Sequence, residues 1–246
     1  ATYNNDDPFS PAQPPHRFRH FIAALPQVDV AYAYRPHNLA ELRAAGAPMA
    51  ALLPPWFMPD QDRPVSTTAD DRERFGCDVV FIGHYEPDGR AEHLASLAEA
   101  GIRVRVFGTD WPDLSRWPSL ASNGPVCALR GRDYRAALCS ARIALCFLSK
   151  LNRDAYTRRN FEIPATGTFM LSEYSDPLAE WFKEGVEAAF FRPGDDLVPL
   201  VRRWLDDADG LERVGAAGRA RLLAGGHDVA ARAGQVLAAL PMPRSP

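Results

Sequence analysis

From residue 77 onward, short apolar runs alternate with stretches of helical periodicity, and this alternation limits the fold more than any other feature. CDVVFIG (77–83), IRVRVFG (102–108), RIALCFL (142–148), TFMLS (168–172) and AAFF (188–191) read as strands. AEHLASLAEAG (91–101), DYRAALCSA (133–141), LAEWFKEG (178–185) and DDLVPLVRRWLDD (195–207) read as helices; in the last, Leu197, Leu200, Val201, Trp204 and Leu205 fall on one face. Two further helices are expected over about 209–224 and 228–240, and VCAL (126–129) as a short strand. Strands alternating with helices of this length imply a parallel sheet with helices on both faces. Such sheets bind ligands at the carboxyl ends of their strands. That rule selects the loops after residues 83, 108 and 148, and the segment that follows the third of them.

Upstream, VDVAYAY (28–34), LAELRAAG (39–46) and MAALLPPWF (49–57) read as strand, helix and strand. This βαβ unit is too small to cover both faces of a sheet by itself. Residues 1–19 are polar and proline-rich and read as a loop, and 59–76 carries almost no apolar residues and reads as a linker. The expected organisation is a partial α/β unit over 1–58, a linker over 59–76, a complete Rossmann-like unit over 77–226, and a helix and tail over 227–246.

Composition excludes several classes. A net charge of −3 gives no electrostatic case for nucleic acid or an anionic membrane. No apolar run approaches the roughly 20 residues a membrane span needs. Cys77, Cys127, Cys139 and Cys146 lie in or beside apolar segments without C-x-x-C spacing, so they read as small buried hydrophobes in a reducing, cytoplasmic setting. His16, His20, His93 and His227 have no partners at metal-ligand spacing and read as surface residues. Neither G-x-S-x-G nor a P-loop occurs, and Gly83–Arg90 is not G-x-G-x-x-G.

The chemistry-bearing candidates cluster in the selected loops. Gly83 permits close backbone approach and Arg90 can reach a phosphate, although a plain βα turn explains the same residues. Trp111, after Gly108, is a stacking surface or a core aromatic. Lys150, Arg153 and Arg159 together suit an anion. In DAYTRRNFEIPATGTFMLSE (154–173), Asp154 and Glu162 have seven residues between them, with Arg158 and Arg159 in that interval. Pro164 is expected in the first turn of a short helix and Gly167 at its exit. The helix start could seat a phosphate and a carboxylate beside it could accept from sugar hydroxyls, or the segment is an ordinary solvated connection.

From Asp78 to about Arg232 the chain resembles the donor-binding half of a GT-B glycosyltransferase, in the CgeB-like, spore-maturation-protein-like branch of group 1. The resemblance is carried by FIGHYEPDGR (81–90), FGTDW (107–111), RGRDYRAALCSARIAL (130–145), DAYTRRNFEIPATGTFMLSEY (154–174), LAEWFKEGVEAAFF (178–191) and GLERVGAAGRARLLAGGHDVAARA (210–233). YNNDDPF (3–9) and DVAYAYRPHNLAELRAAGA (29–47) are similar to the end of that family's acceptor-side domain.

The resemblance implies a nucleoside-diphosphate-sugar donor, no further cofactor, no metal, and an acceptor that is a glycan, protein or small molecule. It implies transfer with retention of configuration, Glu162 at the nucleotide ribose, Arg159 at the diphosphate, and Asp154, one methylene shorter than the family's glutamate, near the sugar. The implied donor set is Gly83, His84, Arg90, Gly108, Lys150, Thr157, Arg159, Glu162 and Gly167, with Asp154 the catalytic candidate and Arg35, His37 and Asn38 on the acceptor side. With only a remnant of the first domain present, the alternatives are an enzyme fragment and a non-catalytic nucleotide-sugar-binding or coat-assembly module.

Overall fold

The computed structural model describes residues 1–239. Two parallel sheets form. The smaller has the order β1-β2-β3, from Thr2–Asn4, Ala31–Ala33 and Ala50–Leu52. Helices α1 (Arg19–Ala24) and α2 (Asn38–Ala44) accompany it. Two expectations change here. Residues 1–19 are not simply loop, because Thr2–Asn4 adds a strand in register with Ala31–Ala33, a pairing that no local apolar run announces. The segment 59–76 is not simply linker, because α3 (Ala69–Phe75) occupies its end. Thr68 and Asp71 cap that helix reciprocally, which satisfies two of its unpaired N–H groups, and Phe75 packs edge-on to Phe107.

The larger sheet has the order β5-β4-β6-β7-β8, from Val104–Phe107, Cys77–Ile82, Ala141–Cys146, Phe169–Glu173 and Ala189–Phe191. All neighbouring pairs are parallel. Its helices are α4 (Arg90–Glu99), α5 (Pro118–Ala121), α6 (Gly131–Ser140), α7 (Arg159–Ala165), α8 (Asp176–Trp181), α9 (Leu197–Leu205) and α10 (Ala208–Ala224). The period of two in β4 decides the layering. Val79 and Phe81 pack with Leu94, Leu97, Val201 and Trp204 on one face, while Val80 and Ile82 pack with Ala136, Ala137, Phe161 and Leu222 on the other. Both faces are therefore buried, which is why the middle of β4, Val79–Ile82, is apolar without alternation. Residues 126–129 do not form the expected strand; Cys127 instead accepts from the Gly108 amide (2.9 Å) and its side chain is exposed, so it is not one of the buried cysteines.

The last helix, α11 (Val229–Ala239), returns to the small sheet, where Val236 and Ala239 pack on Val30, Tyr32 and Leu53. Residues 240–246 of the expected helix and tail lie outside the described residues. Phe57 and Asp228 form a parallel bridge where the outgoing and returning chains run side by side. Buried Arg232 donates to the Pro54 carbonyl (3.1 Å) and pairs with His227 Nδ1 (2.8 Å). His227 is not a free surface residue. It packs against Phe161 and Trp181, and burial, with the charge of Arg232, brings its imidazole down to about 4.

Candidate functional site

The strand order of the large sheet reverses direction between β4 and β6, and the loops that leave these two strands diverge there. Such a switch point opens a crevice at the carboxyl edge. Gly83 and Gly108 interlock the loops beside it. Gly108 has φ +142°, and a Cβ on it would lie 1.9 Å from the Gly83 carbonyl oxygen, so this close approach requires glycine. The same carbonyl accepts from Trp111 Nε1 (2.9 Å), which sets Trp111 edge-on to Phe81 as a packing residue.

Arg90 does not reach outward as expected. It is 3% exposed, makes a bidentate pair with Asp88 (2.8 and 2.7 Å) and donates to the His84 carbonyl (2.9 Å). Its role is to fold the loop 83–90 on itself. The buried carboxylate of Glu86 faces His84 Nε2 at 2.7 Å in the same loop.

The loop after β6 meets the small sheet. Asp154 accepts from Arg35 Nε (2.6 Å) and is ion-paired with its terminal nitrogen, with side chains 2% and 8% exposed. Burial pushes the Asp154 carboxyl up against the opposing pull of Arg35. This corrects the expected sugar contact, because the carboxylate is committed to Arg35. Arg153 pairs with Asp7 (2.6 Å) and Glu41 (2.9 Å), and Lys150 with Glu173. Of the three cations expected to form an anion site, two are therefore neutralised locally. His37 (3.2 Å) and Asn38 (2.8 Å) also bind Asp7, so both brace the junction between the sheets. Ligand atoms of Asp7, His37 and Glu41 lie within 4.8 Å of one another, and the Arg153 guanidinium bonds two of the three carboxylate and imidazole groups of this cluster.

Helix α7 begins earlier than expected. The Thr157 hydroxyl accepts from the Arg159 amide (3.0 Å) and Asn160 Oδ1 from the Thr157 amide (2.8 Å), so Thr157 serves as a start signal. Pro164 consequently stands in the last turn instead of the first. Gly167 precedes β7 and lies at the opposite edge of the sheet, beside Cys139, Thr168 and Leu211, so its expected donor contact is corrected.

Arg159 and Glu162 do meet at the crevice. Arg159 Nε donates to the Ile82 carbonyl at the end of β4, and its guanidinium has no carboxylate partner among the described residues. Glu162 accepts from the Tyr134 hydroxyl (2.7 Å) and pairs with Arg158 Nε (2.7 Å). Burial, then the Glu162 charge, holds the Tyr134 phenol well above its ordinary range.

Three hollows share Arg159. One of about 540 Å³ is bounded by Met58, Asp62, Arg130, Tyr134, Arg158 and Glu162. One of about 210 Å³ lies between the sheets, against Tyr3, Tyr34, Trp56, Asp154 and Thr157. The third, about 40 Å³, touches Gly83, His84, Glu86, Arg90 and Ser149. Sequence reasoning missed Tyr134, Trp56, Tyr3 and Glu86. Only Glu86 had a nearby signal, its spacing of two from His84.

A parallel α/β chain with an arginine and a carboxylate at a switch point, facing a second parallel sheet, has the architecture of a GT-B glycosyltransferase. Residues 90–238 match the glycosyl transferase-like family, and the chain belongs to it. The fold is similar to that of sucrose-phosphate synthase from Thermosynechococcus elongatus, with TM-score 0.70, 19% identity, and 92% of this chain against 61% of that one. It is similar to Anabaena Alr3699/HepE in complex with UDP-glucose, with TM-score 0.68, 13% identity, and 93% of this chain against 70% of that one. It also resembles the C-terminal domain of the group 1 glycosyl transferase LpcC from Francisella tularensis, with TM-score 0.51, 7% identity, and 70% of this chain against 99% of that one. The chain thus spans about 61% of the length of the synthase it matches. No curated protein matches the sequence. No helix among the described residues is long and apolar enough to cross a membrane.

Proposed function

We propose that this chain is the donor-binding part of a cytoplasmic, retaining glycosyltransferase of the CgeB-like branch, which takes a nucleoside-diphosphate-sugar in the crevice between its two sheets. Residues 77–226 act as the donor-side unit and 1–58 as part of the acceptor side. The observation that carries this reading is Arg159, a cation without a carboxylate partner among the described residues, placed where three hollows meet. When the bond from sugar C1 to the phosphate oxygen breaks, its electron pair stays on the leaving diphosphate. A guanidinium fixed at that position stabilises the growing charge without reorganising. Glu162, held by Tyr134 and Arg158, faces the largest hollow and accepts from ribose hydroxyls. UDP is the first nucleotide to test because a neighbour of similar fold is described in complex with UDP-glucose.

The test is calorimetric titration with UDP-, GDP- and ADP-sugars. Arg159→Ala or Glu162→Ala weakens donor binding at least about tenfold, the scale of one charged hydrogen bond, in a protein that still unfolds in a single cooperative transition. Unchanged affinity in both variants refutes the assignment. A second reading, a non-catalytic binding module, is favoured by the commitment of Asp154, the carboxylate expected near the sugar, to Arg35. Under that reading a full-length form binds donor tightly yet neither hydrolyses nor transfers the labelled sugar.

A further inference from the structure

Building on the donor-site reading above, we infer that Glu86 is a positioning residue that holds His84 as a proton-dependent contact for the donor's diphosphate. Three observations converge. The pair sits in the loop after β4, at the switch point, and both residues border the hollow that also contains Arg159. Glu86 is 5% exposed while the His84 side chain is 44% exposed, so a buried anion anchors a ring that stands open to the crevice. The 2.7 Å contact engages Nε2, and Nδ1 has no partner among the described residues.

The charges around the ring decide what it can do. Arg90, at the start of α4, is engaged by Asp88 (2.7 Å) and lies 3.4 Å from Glu86. Asp154, after β6, is paired with Arg35, and Arg159 approaches from α7. Burial acts to raise the Glu86 carboxyl, but hydrogen bonds from His84 and Ser149 and the Arg90 charge outweigh it and hold it down at about 2. Glu86 thus serves as the anionic partner of the ring across the neutral range. A carboxylate on one imidazole nitrogen fixes the ring, and a doubly protonated ring held this way presents a charged N–H from the other nitrogen. Beside Arg159, that N–H gives the crevice a second cationic donor that is present only when the ring is protonated.

The experiment measures affinity for UDP-glucose, GDP-mannose and ADP-glucose from about pH 5.5 to about 8.5, a range where the diphosphate diester keeps its charge and histidine changes its own. Wild-type affinity for whichever donor binds falls as pH rises. His84→Arg binds with little pH dependence, because its charge is fixed. Glu86→Gln loses about tenfold at pH 7.5 and recovers at the acidic end, whereas a purely structural defect weakens binding at every pH. ¹⁵N NMR of the free protein reads the ring directly: His84 carries its hydrogen on Nε2, and Glu86→Gln removes that preference. A pH-independent wild type, or a Glu86→Gln profile parallel to wild type, overturns this inference and leaves the donor site standing. Absence of binding by every donor overturns both.

Discussion

Replacing Arg35 by methionine isolates the most deeply buried charge pair at the junction. Arg35 is 2% exposed, clamps Asp154 through two nitrogens and donates to the Asn5 carbonyl (2.8 Å), with its guanidinium over the Tyr34 ring at 4.6 Å. Methionine fills much of the volume but leaves the Asp154 carboxylate buried without its counterion. Breaking one side of a buried pair costs about 3–5 kcal/mol. For a chain of this size each kcal/mol lowers the melting temperature by about 2–4 °C, so the expected drop is about 6–20 °C. The pH dependence has a definite sign. Burial raises the Asp154 carboxyl in the folded state, and without Arg35 nothing comparable opposes that rise. A folded-state value above the unfolded one means the native form holds the proton more tightly. The deficit of Arg35→Met therefore shrinks on acidification and grows as pH rises through the folded value. Adding Asp154→Leu restores most of the loss, because no unpaired charge remains. Melting curves of the single and double variants across pH provide the assay. A single variant that melts within 2 °C of wild type, or a double variant no better than the single, refutes the reasoning.

Tyr134→Phe removes the hydroxyl that aims Glu162, and weakens donor binding by less than Glu162→Ala while costing about 1 kcal/mol of stability, measurable by titration and denaturant melts. Gly108→Ala places a methyl against the Gly83 carbonyl at a left-handed backbone position and costs about 1–3 kcal/mol in strain alone, with larger losses if the two loops separate. Burial acts to raise Asp7, but Arg153, His37 and Asn38 outweigh it and hold its carboxyl at about 2. The stability this confers is complete above the ordinary carboxylate range and is lost as pH falls through about 2. Asp7→Asn is accordingly about 1–2 kcal/mol less stable at neutral pH and shows a flatter acid limb in denaturation curves.

The alternation of strands and helices after residue 77 was legible because both faces of the large sheet are buried, so Val79, Val80, Phe81 and Ile82 had no reason to alternate with polar residues. Arg159 and Glu162 were legible as residues of one short segment beside the sheet edge. Asp154 and Arg153 were misread because their partners, Arg35 and Asp7, are 119 and 146 residues away in the chain, and no spacing rule connects them. Thr2–Asn4 was missed for a related reason. A three-residue strand has no periodicity, and only the neighbouring Ala31–Ala33 makes it one. The helix 69–75 was legible in principle from the threonine and aspartate that cap it, but its polar composition hid it. Pro164 misled because Thr157 and Asn160 start α7 before it.

The paired crossings at Phe57 and Asp228 give the molecule a book-like form. Two covalent segments run alongside each other there and are joined by amide hydrogen bonds at 3.2 and 3.0 Å. They form a spine, while the Asp7–Arg153 and Arg35–Asp154 pairs fasten the pages where the sheet edges meet. The Tyr34 and Tyr156 rings, 5.7 Å apart, and the Tyr156 hydroxyl on the Tyr34 carbonyl (2.7 Å) join the pages beside these charges. On the donor-site reading, phosphates arriving between the pages meet Arg35 and Arg153 as cations already matched to carboxylates, so the fasteners and the ligand compete for the same charges.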